Sequence, residues 1–364
     1  MLKLGSEMDD CFMLKGLSRK EDGGLVPNGE FDSRYRFVYL VRPLVDSLLS
    51  SDELLFFIGA EVDAKQEIKY TRLGGKLLGN LRSESFEMVE QYPDYCLNPY
   101  FDLFYTFVRA YNLRSFVHLI RSAKGDDANE MVRILNECVE SIRAEAKSKA
   151  FKARLKSYLR SVGENFKGLT SYVEALFECH ARMLVVRIDL SYLERYRGIS
   201  GDITFEHARQ HRRKLLDYLG KGRLGPLLGY AWKFENGLRK GLHFHMLLFF
   251  DGSKVWRDVV LARKVGEYWS SVATDGLGSY YNCNAFKDKY EFCGIGMIHF
   301  SNSNGMEGLK RIVTYMTKLD EFFKFSVRGV RSFGKGAEPK LPDIIRGRPR
   351  SISGLLLPIK VSNC

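Results

Sequence analysis

The sequence predicts an α+β protein in which a mostly helical region precedes an antiparallel β-sheet. Three observations predict this organisation. Apolar residues recur at helical spacing from Phe31 to about Leu169, and β-branched runs alternate with amphipathic stretches after residue 182. The charge is also uneven, because residues 1–150 carry 20 basic and 24 acidic side chains (net −4) and residues 151–364 carry 36 and 20 (net +16). We therefore expect two regions, the second of which binds a polyanion, with nucleic acid favoured over a membrane surface.

The chain divides into four regions on this interpretation. Residues 1–30 are Gly-rich and mixed in charge, which indicates an irregular N-terminus. Residues 31–175 form the mostly helical region, with Met131, Ile134, Leu135 and Cys138 on one helix face and no catalytic motif. Residues 180–336 form the sheet domain, and residues 337–364 a basic, Pro-containing tail.

The elements of the sheet domain follow one another in a recognisable order. A strand, a helix begun by Asp202 or Thr204, two strands, a second helix, another strand and a final helix are predicted. Their ranges are Met183–Leu190, Phe205–Leu219, Leu228–Glu235, Leu242–Phe250, Lys254–Val272, Gly294–Phe300 and Met306–Phe323. The order β-α-β-β-α-β predicts a split-βαβ, ferredoxin-like antiparallel sheet with helices on one face.

The composition excludes several classes of protein. Acidic residues at Glu7, Asp9 and Asp10 are not typical of a secretory signal, and no stretch approaches the roughly 18–20 apolar residues of a membrane helix. Seven cysteines occur without a Cys-x-x-Cys pair, which indicates reduced thiols. We therefore expect a cytoplasmic protein that has no membrane partner.

A pair of histidines in the third strand is the most informative motif. His243 and His245 are two residues apart and so project from the same face of a strand, where two imidazoles can bind one divalent metal ion. The preceding strand ends at Glu235, and the hairpin returns this carboxylate beside them. This ligand set leaves positions open and favours Mg²⁺ or Mn²⁺. The alternatives are histidines that only make hydrogen bonds and a glutamate that is an exposed acid at the edge of a loop.

A tyrosine in the last helix is the candidate nucleophile. Arg311, Tyr315 and Lys318 share a face that adjoins the apolar one, so Tyr315 is expected at the boundary between core and solvent. Neighbouring positive charge or metal lowers the cost of forming its phenolate. The alternative is an ordinary tyrosine at the edge of an amphipathic helix.

Together these elements resemble the HUH (His-hydrophobic-His) endonucleases, replication initiators and relaxases that nick single-stranded DNA. The metal motif is matched by His243-Phe244-His245, and Glu235 stands where related viral initiators place an acidic ligand. The sequence Tyr315-Met316-Thr317-Lys318 is similar to the Tyr-x-x-Lys motif of the initiator branch. Trp232-Lys233-Phe234-Glu235 and Arg331-Ser332-Phe333-Gly334 look like the inovirus-type, YagK/YfjJ-like initiators of phages and prophages.

The resemblance implies rolling-circle replication initiation in a bacterial host cell. Glu235, His243 and His245 would hold the metal, Tyr315 would form a 5′-phosphotyrosine bond, and Lys318 would stabilise the phenolate or the transition state. Single-stranded origin DNA would cross the sheet. Its candidate contacts are Arg209, Arg212, Arg213, Lys233, Arg239, Lys240 and Arg311.

Other uses of the same motifs stay open. The near alternative is a relaxase or transposase, and the alternative from another class is a nucleic-acid-binding regulator that does not cut. No Gly-x-x-x-x-Gly-Lys-Ser/Thr motif occurs, since Gly74-Gly75-Lys76 is followed by Leu77. An initiator of this kind would therefore depend on a host helicase, and on a host polymerase to extend the nicked strand.

Overall fold

The computed structural model of the chain describes residues 17–19, 25–27, 33–59, 67–82, 98–196, 203–237, 241–318 and 330–339. These residues form two compact units, one of residues 17–161 and one of residues 162–318 with 330–339. The helix Lys149–Cys179 contributes to both units, whereas the sequence suggested a boundary between residues 175 and 180. No helix in the described ranges is long and apolar enough to cross a membrane.

The first unit is mostly helical, as the sequence predicts, and also contains two short antiparallel ladders. One ladder pairs residues 17–19 with 25–27, within a segment that we predicted to be irregular. The strands are β1 (Leu17–Arg19), β2 (Leu25–Pro27), β3 (Phe56–Ile58) and β4 (Ile68–Tyr70). The helices are α1 (Ser33–Leu49), α2 (Arg72–Leu81), α3 (Pro99–Ala110), α4 (Leu113–Phe116), α5 (Gly125–Lys147) and the first part of α6 (Lys149–Cys179).

Buried polar side chains connect the helices of the first unit to its loops. The guanidinium of Arg143 donates to the carbonyl oxygens of Leu48 and Glu53 at 2.9 and 3.1 Å. The amide of Asn136 accepts from the backbone N–H of Phe56 and donates to its carbonyl, which fixes β3 beside α5. These bonds satisfy backbone groups that the connections would otherwise leave unpaired.

The second unit contains the predicted sheet and two further strands. Its strands are β5 (Arg182–Tyr192), β6 (Leu227–Gly237), β7 (Gly241–Asp251), β8 (Gly278–Asn282), β9 (Gly296–His299) and β10 (Phe333–Lys335). Its helices are the second part of α6, α7 (Phe205–Gly220), α8 (Asp258–Tyr268) and α9 (Ser303–Lys318). A π-helical turn, Trp269–Ala273, follows α8. Thr204 begins α7 through a capping box with His207, which decides between the two predicted N-caps.

All strand pairs of the sheet are antiparallel. The strand order is β10-β6-β7-β5-β8, and β9 pairs with the other end of β5. The strand β8 was not among the predicted strands. The central strands β5 and β7 are each buried between two neighbours, which explains their near-continuous apolar sequences.

One face of the sheet packs against α7 and α8. Alternate residues of β5 and β7 point to this face, among them Ile188, Leu190, Phe244 and Met246, and all are buried. Residues two apart on a strand share a face, so the intervening positions point to the other side.

The other face is also covered by helices, which corrects the expectation of helices on one face only. The hydroxyl of Tyr172 in α6 accepts the backbone N–H of Tyr230 at 3.2 Å, and the ring of Tyr315 in α9 lies 5.5 Å from that of His245. Helical periodicity shows which residues of a helix are buried, but it does not show which face of the sheet receives them. The sheet is therefore a middle layer.

A contact between two glycines holds α9 close to the segment before β9. A Cβ on Gly294 would lie 2.2 Å from the backbone nitrogen of Leu309, and one on Gly308 would lie 2.3 Å from the backbone nitrogen of Gly294. Real Cβ atoms do not approach backbone so closely, so both positions require glycine at this separation.

Candidate active site

The second face of the sheet carries a group of charged and titratable side chains. In the strand register Glu235 of β6 is opposite His243 of β7, and Lys233 is opposite His245. On the other side of β7, Asp189 of β5 is also opposite His245. Directly opposed residues in an antiparallel pair lie on one face, so five polar side chains gather there.

Glu235, His243 and His245 converge on one point. Their potential ligand atoms all lie within 4.8 Å of one another, and this is the one such group of three among the residues that the structure describes. The Oε2 of Glu235 is 3.5 Å from the Nε2 of His243 and 3.5 Å from the Nε2 of His245. The hairpin therefore brings Glu235 beside the histidines, as the sequence predicts.

The Nδ1 atoms of both imidazoles make hydrogen bonds. The Nδ1–H of His243 donates to the carbonyl oxygen of Gly241 at 2.9 Å. The Nδ1–H of His245 donates to the Asp189 carboxylate at 2.6 Å. With the proton on Nδ1 in each ring, both Nε2 lone pairs point toward Glu235, and such bonds orient histidines that bind metal.

The two histidines differ in their electrostatic surroundings. Burial lowers the pKa of His243, and Glu235 only partly opposes this shift. Burial would also lower the pKa of His245, but the carboxylates of Asp189 and Glu235 outweigh it and leave the pKa raised. A buried imidazole between two carboxylates favours a positive charge at that position, which either a proton or a metal ion can supply.

The donor set fits a divalent cation. Two ligand atoms that each lie about 2.1 Å from one ion, at right or tetrahedral angles, are about 3.0–3.4 Å apart. The two 3.5 Å separations at Glu235 are close to that spacing. Two imidazoles and one carboxylate leave further positions for water or phosphate oxygens, which suits Mg²⁺ or Mn²⁺.

Tyr315 lies against this group and is deeper than the sequence predicted. Its side chain is 1% exposed, not at the boundary between core and solvent. Its hydroxyl oxygen lies 3.4 Å from the Nε2 of His245, to which it can donate when the neutral imidazole carries its proton on Nδ1. The face of α9 that carries Tyr315 packs against the second face of the sheet and is buried there. The pattern of apolar residues along the helix did not reveal this contact.

Arg187 places a cation over the ring of Tyr315. Its guanidinium carbon lies 4.8 Å from the ring centroid, in the range of a cation–π interaction. Burial would lower the pKa of Arg187, but Cys283, Asp189 and Tyr315 outweigh it and leave the pKa raised. The guanidinium is therefore charged beside the phenol.

Sequence reasoning missed both Arg187 and Asp189. We found no distinctive residue in the strand Met183–Leu190. A signal was present, because Arg and Asp are the two charged residues of this apolar run and stand two apart, on one face. Charged residues are almost never fully buried unless they are paired.

Three predicted DNA contacts lie away from this group. Arg209, Arg212 and Arg213 belong to α7, which packs on the opposite face of the sheet. Arg212 lies over the ring of Trp232 at 3.7 Å, and Arg209 pairs with Glu206 at 2.7 Å. The structure therefore does not bring these arginines to Tyr315.

The remaining predicted positions have mixed outcomes. Lys233 is on the same face as His245 and, like the two histidines and Tyr315, is buried. Arg311 lies on α9, where it packs over Phe292 at 3.9 Å and pairs with Glu307 at 3.4 Å. Arg239, Lys240 and the side chain of Lys318 lie outside the described residues.

Comparison with known proteins places part of the chain in a family. The family model of the YagK/YfjJ C-terminal domain matches residues 145–336, which is 192 of the 364 residues. The matched range includes Glu235, His243, His245 and Tyr315. No curated protein and no solved structure matches the chain.

Proposed function

Since the chain belongs to the YagK/YfjJ C-terminal domain family, we propose that residues 180–336 are the nuclease domain of an HUH-type replication initiator. The proposed reaction is metal-dependent nicking of single-stranded origin DNA, followed by strand transfer, as in rolling-circle replication. The observation that carries the proposal is the hydroxyl of Tyr315, which lies 3.4 Å from a histidine of the Glu235, His243 and His245 group.

The strand order supports an HUH-type fold. Taken in chain order, the first four long elements of the sheet, β5, β6, β7 and β8, have the spatial order β6-β7-β5-β8. The helices α7 and α8 separate them along the chain and pack on one face. A split-βαβ, ferredoxin-like sheet would have this order, which supports the proposed fold, and here α6 and α9 cover the second face of the sheet.

Glu235, His243 and His245 would hold the divalent ion. When bound there, Mg²⁺ or Mn²⁺ would polarise the scissile phosphate and offset its developing charge. Asp189 and the carbonyl of Gly241 keep the two imidazoles turned toward that position. Two buried imidazoles and one partly buried carboxylate, brought together by a strand register, form a rigid site, as positioning of a phosphate requires.

Tyr315 would supply the nucleophile. Its phenol oxygen forms a bond to phosphorus while the bond from phosphorus to the 3′ oxygen breaks. The phenol proton passes to water, the 3′ oxygen takes up a proton, and the products are a 5′-phosphotyrosine and a free 3′-OH. Arg187, 4.8 Å from the ring centroid, favours the phenolate form. The free 3′-OH could then prime synthesis by a host polymerase, after a host helicase opens the duplex.

The test is formation of a covalent adduct. The chain is incubated with Mn²⁺ and single-stranded oligonucleotides that tile the replicon encoding it, and the products are separated by denaturing electrophoresis. We expect an adduct that is lost in Tyr315→Phe and retained in Tyr290→Phe, a control at another tyrosine whose pKa burial raises to about 12 and which also senses the charge of Arg187.

The metal ligands have a separate test in the same assay. His243→Ala with His245→Ala should abolish adduct formation and leave most of the salt-dependent DNA binding, because phosphate contacts supply most of the affinity. An adduct that persists in Tyr315→Phe, or in the double histidine variant, would contradict the proposal. Binding to DNA without any adduct in the wild type would favour the non-cleaving regulator.

A further inference from the structure

Two exposed aromatic rings are stacked on each other at the edge of the sheet. Tyr281 is in the edge strand β8, and Phe286 is in the 3₁₀ segment Cys283–Lys289 that follows it. Their side chains are 47% and 42% exposed. The rings are nearly parallel, with 7° between their planes and 5.4 Å between their centroids. Stacked aromatic rings at a protein surface can offer the outer face of the stack to a ligand.

The strand register puts Tyr281 on the same face as the metal-ligand group. Tyr281 is opposite Asp189 of β5, and Asp189 is opposite His245 of β7. These three residues therefore form one row across the sheet. Two strand spacings of about 4.8 Å separate the backbone of Tyr281 from that of His245, or roughly 10 Å. The neighbouring Tyr280 points to the opposite face, where it packs against the apolar core.

Hydrogen bonds hold the segment that carries Phe286. The side chain of Asn282 accepts the N–H of Ala285 at 3.2 Å. The amide of Asn284 donates to the carbonyl of Val185 and to the carboxylate of Asp258, both at 3.0 Å. Because these bonds join the segment to β5 and α8, the backbone that carries the two rings is held in place without a ligand, which lowers the entropy cost of binding one.

A cation extends the aromatic pair. The ammonium of Lys289 lies 4.8 Å from the centroid of Phe286 and is exposed. Lys287 instead pairs with the carboxylate of Asp258 at 2.8 Å. A stacking surface with an adjacent ammonium fits a nucleotide, whose base has a π-face and whose phosphate is negative. An apolar protein surface would not pair with the charge of Lys289.

We propose that Tyr281 and Phe286 form a stacking site for a base of single-stranded DNA whose scissile phosphate lies at Tyr315. The inference rests on the proposed function and adds the path of the strand, which leaves the metal-ligand group along the row through Asp189 toward β8. Every base has a π-face, so the site would select single strands over duplex without reading sequence.

The experiment measures binding without cleavage. Binding of fluorescein-labelled single-stranded oligonucleotides is followed by anisotropy in EDTA, for the wild type and for Tyr281→Ala, Phe286→Ala and Tyr281→Phe. We expect both alanine variants to bind on the order of tenfold more weakly, and Tyr281→Phe to bind as the wild type does, because the ring is kept. Trp256→Ala is the matched control, since Trp256 is 70% exposed but lies between β7 and α8.

Oligonucleotides with one abasic position separate stacking from other causes of weak binding. An abasic position moved along the strand should weaken binding to the wild type at one or two places, and that loss should disappear in Tyr281→Ala. Unchanged affinity in both alanine variants, or an abasic profile identical in wild type and variant, would overturn the stacking site. Equal loss of affinity for duplex and single strand would also overturn it.

The outcome is independent of the nicking assay. If the binding assay shows no contribution from the two rings while the adduct still forms, this inference is removed and the proposed function remains. If the two rings contribute to binding but no adduct forms, the proposed function is removed, and the rings remain a binding site on a protein that does not cut DNA.

Discussion

The two faces of the sheet in the second unit are built from the same strands and differ in almost every chemical respect. Phe244 and Met246 of β7 point into an apolar core, and His243 and His245 alternate with them on the other side. Both faces are covered, yet one contains apolar contacts and the other a group of charged side chains. The period of two residues in a strand thus separates the part of the sequence that stabilises the fold from the part that we expect to perform chemistry.

The largest effect is expected from Phe244→Ala. Phe244 is buried, and its ring contacts those of Phe234, Trp232 and Trp269. Removing such a ring costs about 3–5 kcal/mol through lost burial and the cavity left behind. Urea denaturation should show this decrease in the free energy of unfolding. The adjacent His243→Ala should lose less than half as much stability, and equal losses would mean that the two faces do not differ as described.

Asp189→Asn tests the polar face next. Its carboxylate accepts the Nδ1–H of His245 at 2.6 Å, and loss of such a partner lowers metal affinity about 10–100-fold. Mn²⁺ titration by calorimetry should measure the decrease, with folding kept. Asp217→Asn, an exposed carboxylate of α7, is the control. Unchanged Mn²⁺ affinity in Asp189→Asn would indicate that the bond to His245 has no role in metal binding.

Arg212→Gln measures a smaller contribution on the apolar side. The guanidinium lies 3.7 Å from the ring centroid of Trp232, and burial lowers the pKa of Arg212 to about 10. Loss of this partly buried cation–π contact should cost about 1 kcal/mol of unfolding free energy. Affinity for single-stranded DNA should not change. Weaker DNA binding at equal stability would restore the sequence-based prediction that Arg212 contacts DNA.

The smallest effect is a pH dependence at the edge of the apolar core. Burial lowers the pKa of His211, whose Nδ1 bonds the hydroxyl of Tyr192 at 3.0 Å. Below about pH 6.5 the unfolded chain takes up a proton that the folded chain resists, so stability decreases as the pH falls through that value. His211→Asn should lose less stability than the wild type over this interval in parallel urea titrations. If the wild type and His211→Asn lose the same free energy of unfolding as the pH falls, His211 is not the cause of the pH dependence.

The sequence predicted elements that depend on neighbours along the chain. Alternation and β-branched runs identified β5, β6 and β7, and the hairpin between β6 and β7 brought Glu235 to the histidines. The covering of the second face was not predictable in this way, because α6 and α9 pack against strands that are distant from them along the chain. For the same reason Tyr315 was expected at the boundary between core and solvent, and Asp189 was overlooked.

The close contact of Gly294 with Gly308 has a consequence for how mutations would be interpreted. Gly308 precedes Tyr315 by seven residues, or about 10 Å along the helix axis. A methyl group at either glycine would push α9 away from the backbone it touches. We expect Gly308→Ala to abolish the adduct while Mn²⁺ affinity and DNA binding persist, and adduct formation at the wild-type rate would contradict this. A mutational screen would then report an inactivating position that carries no functional group at all.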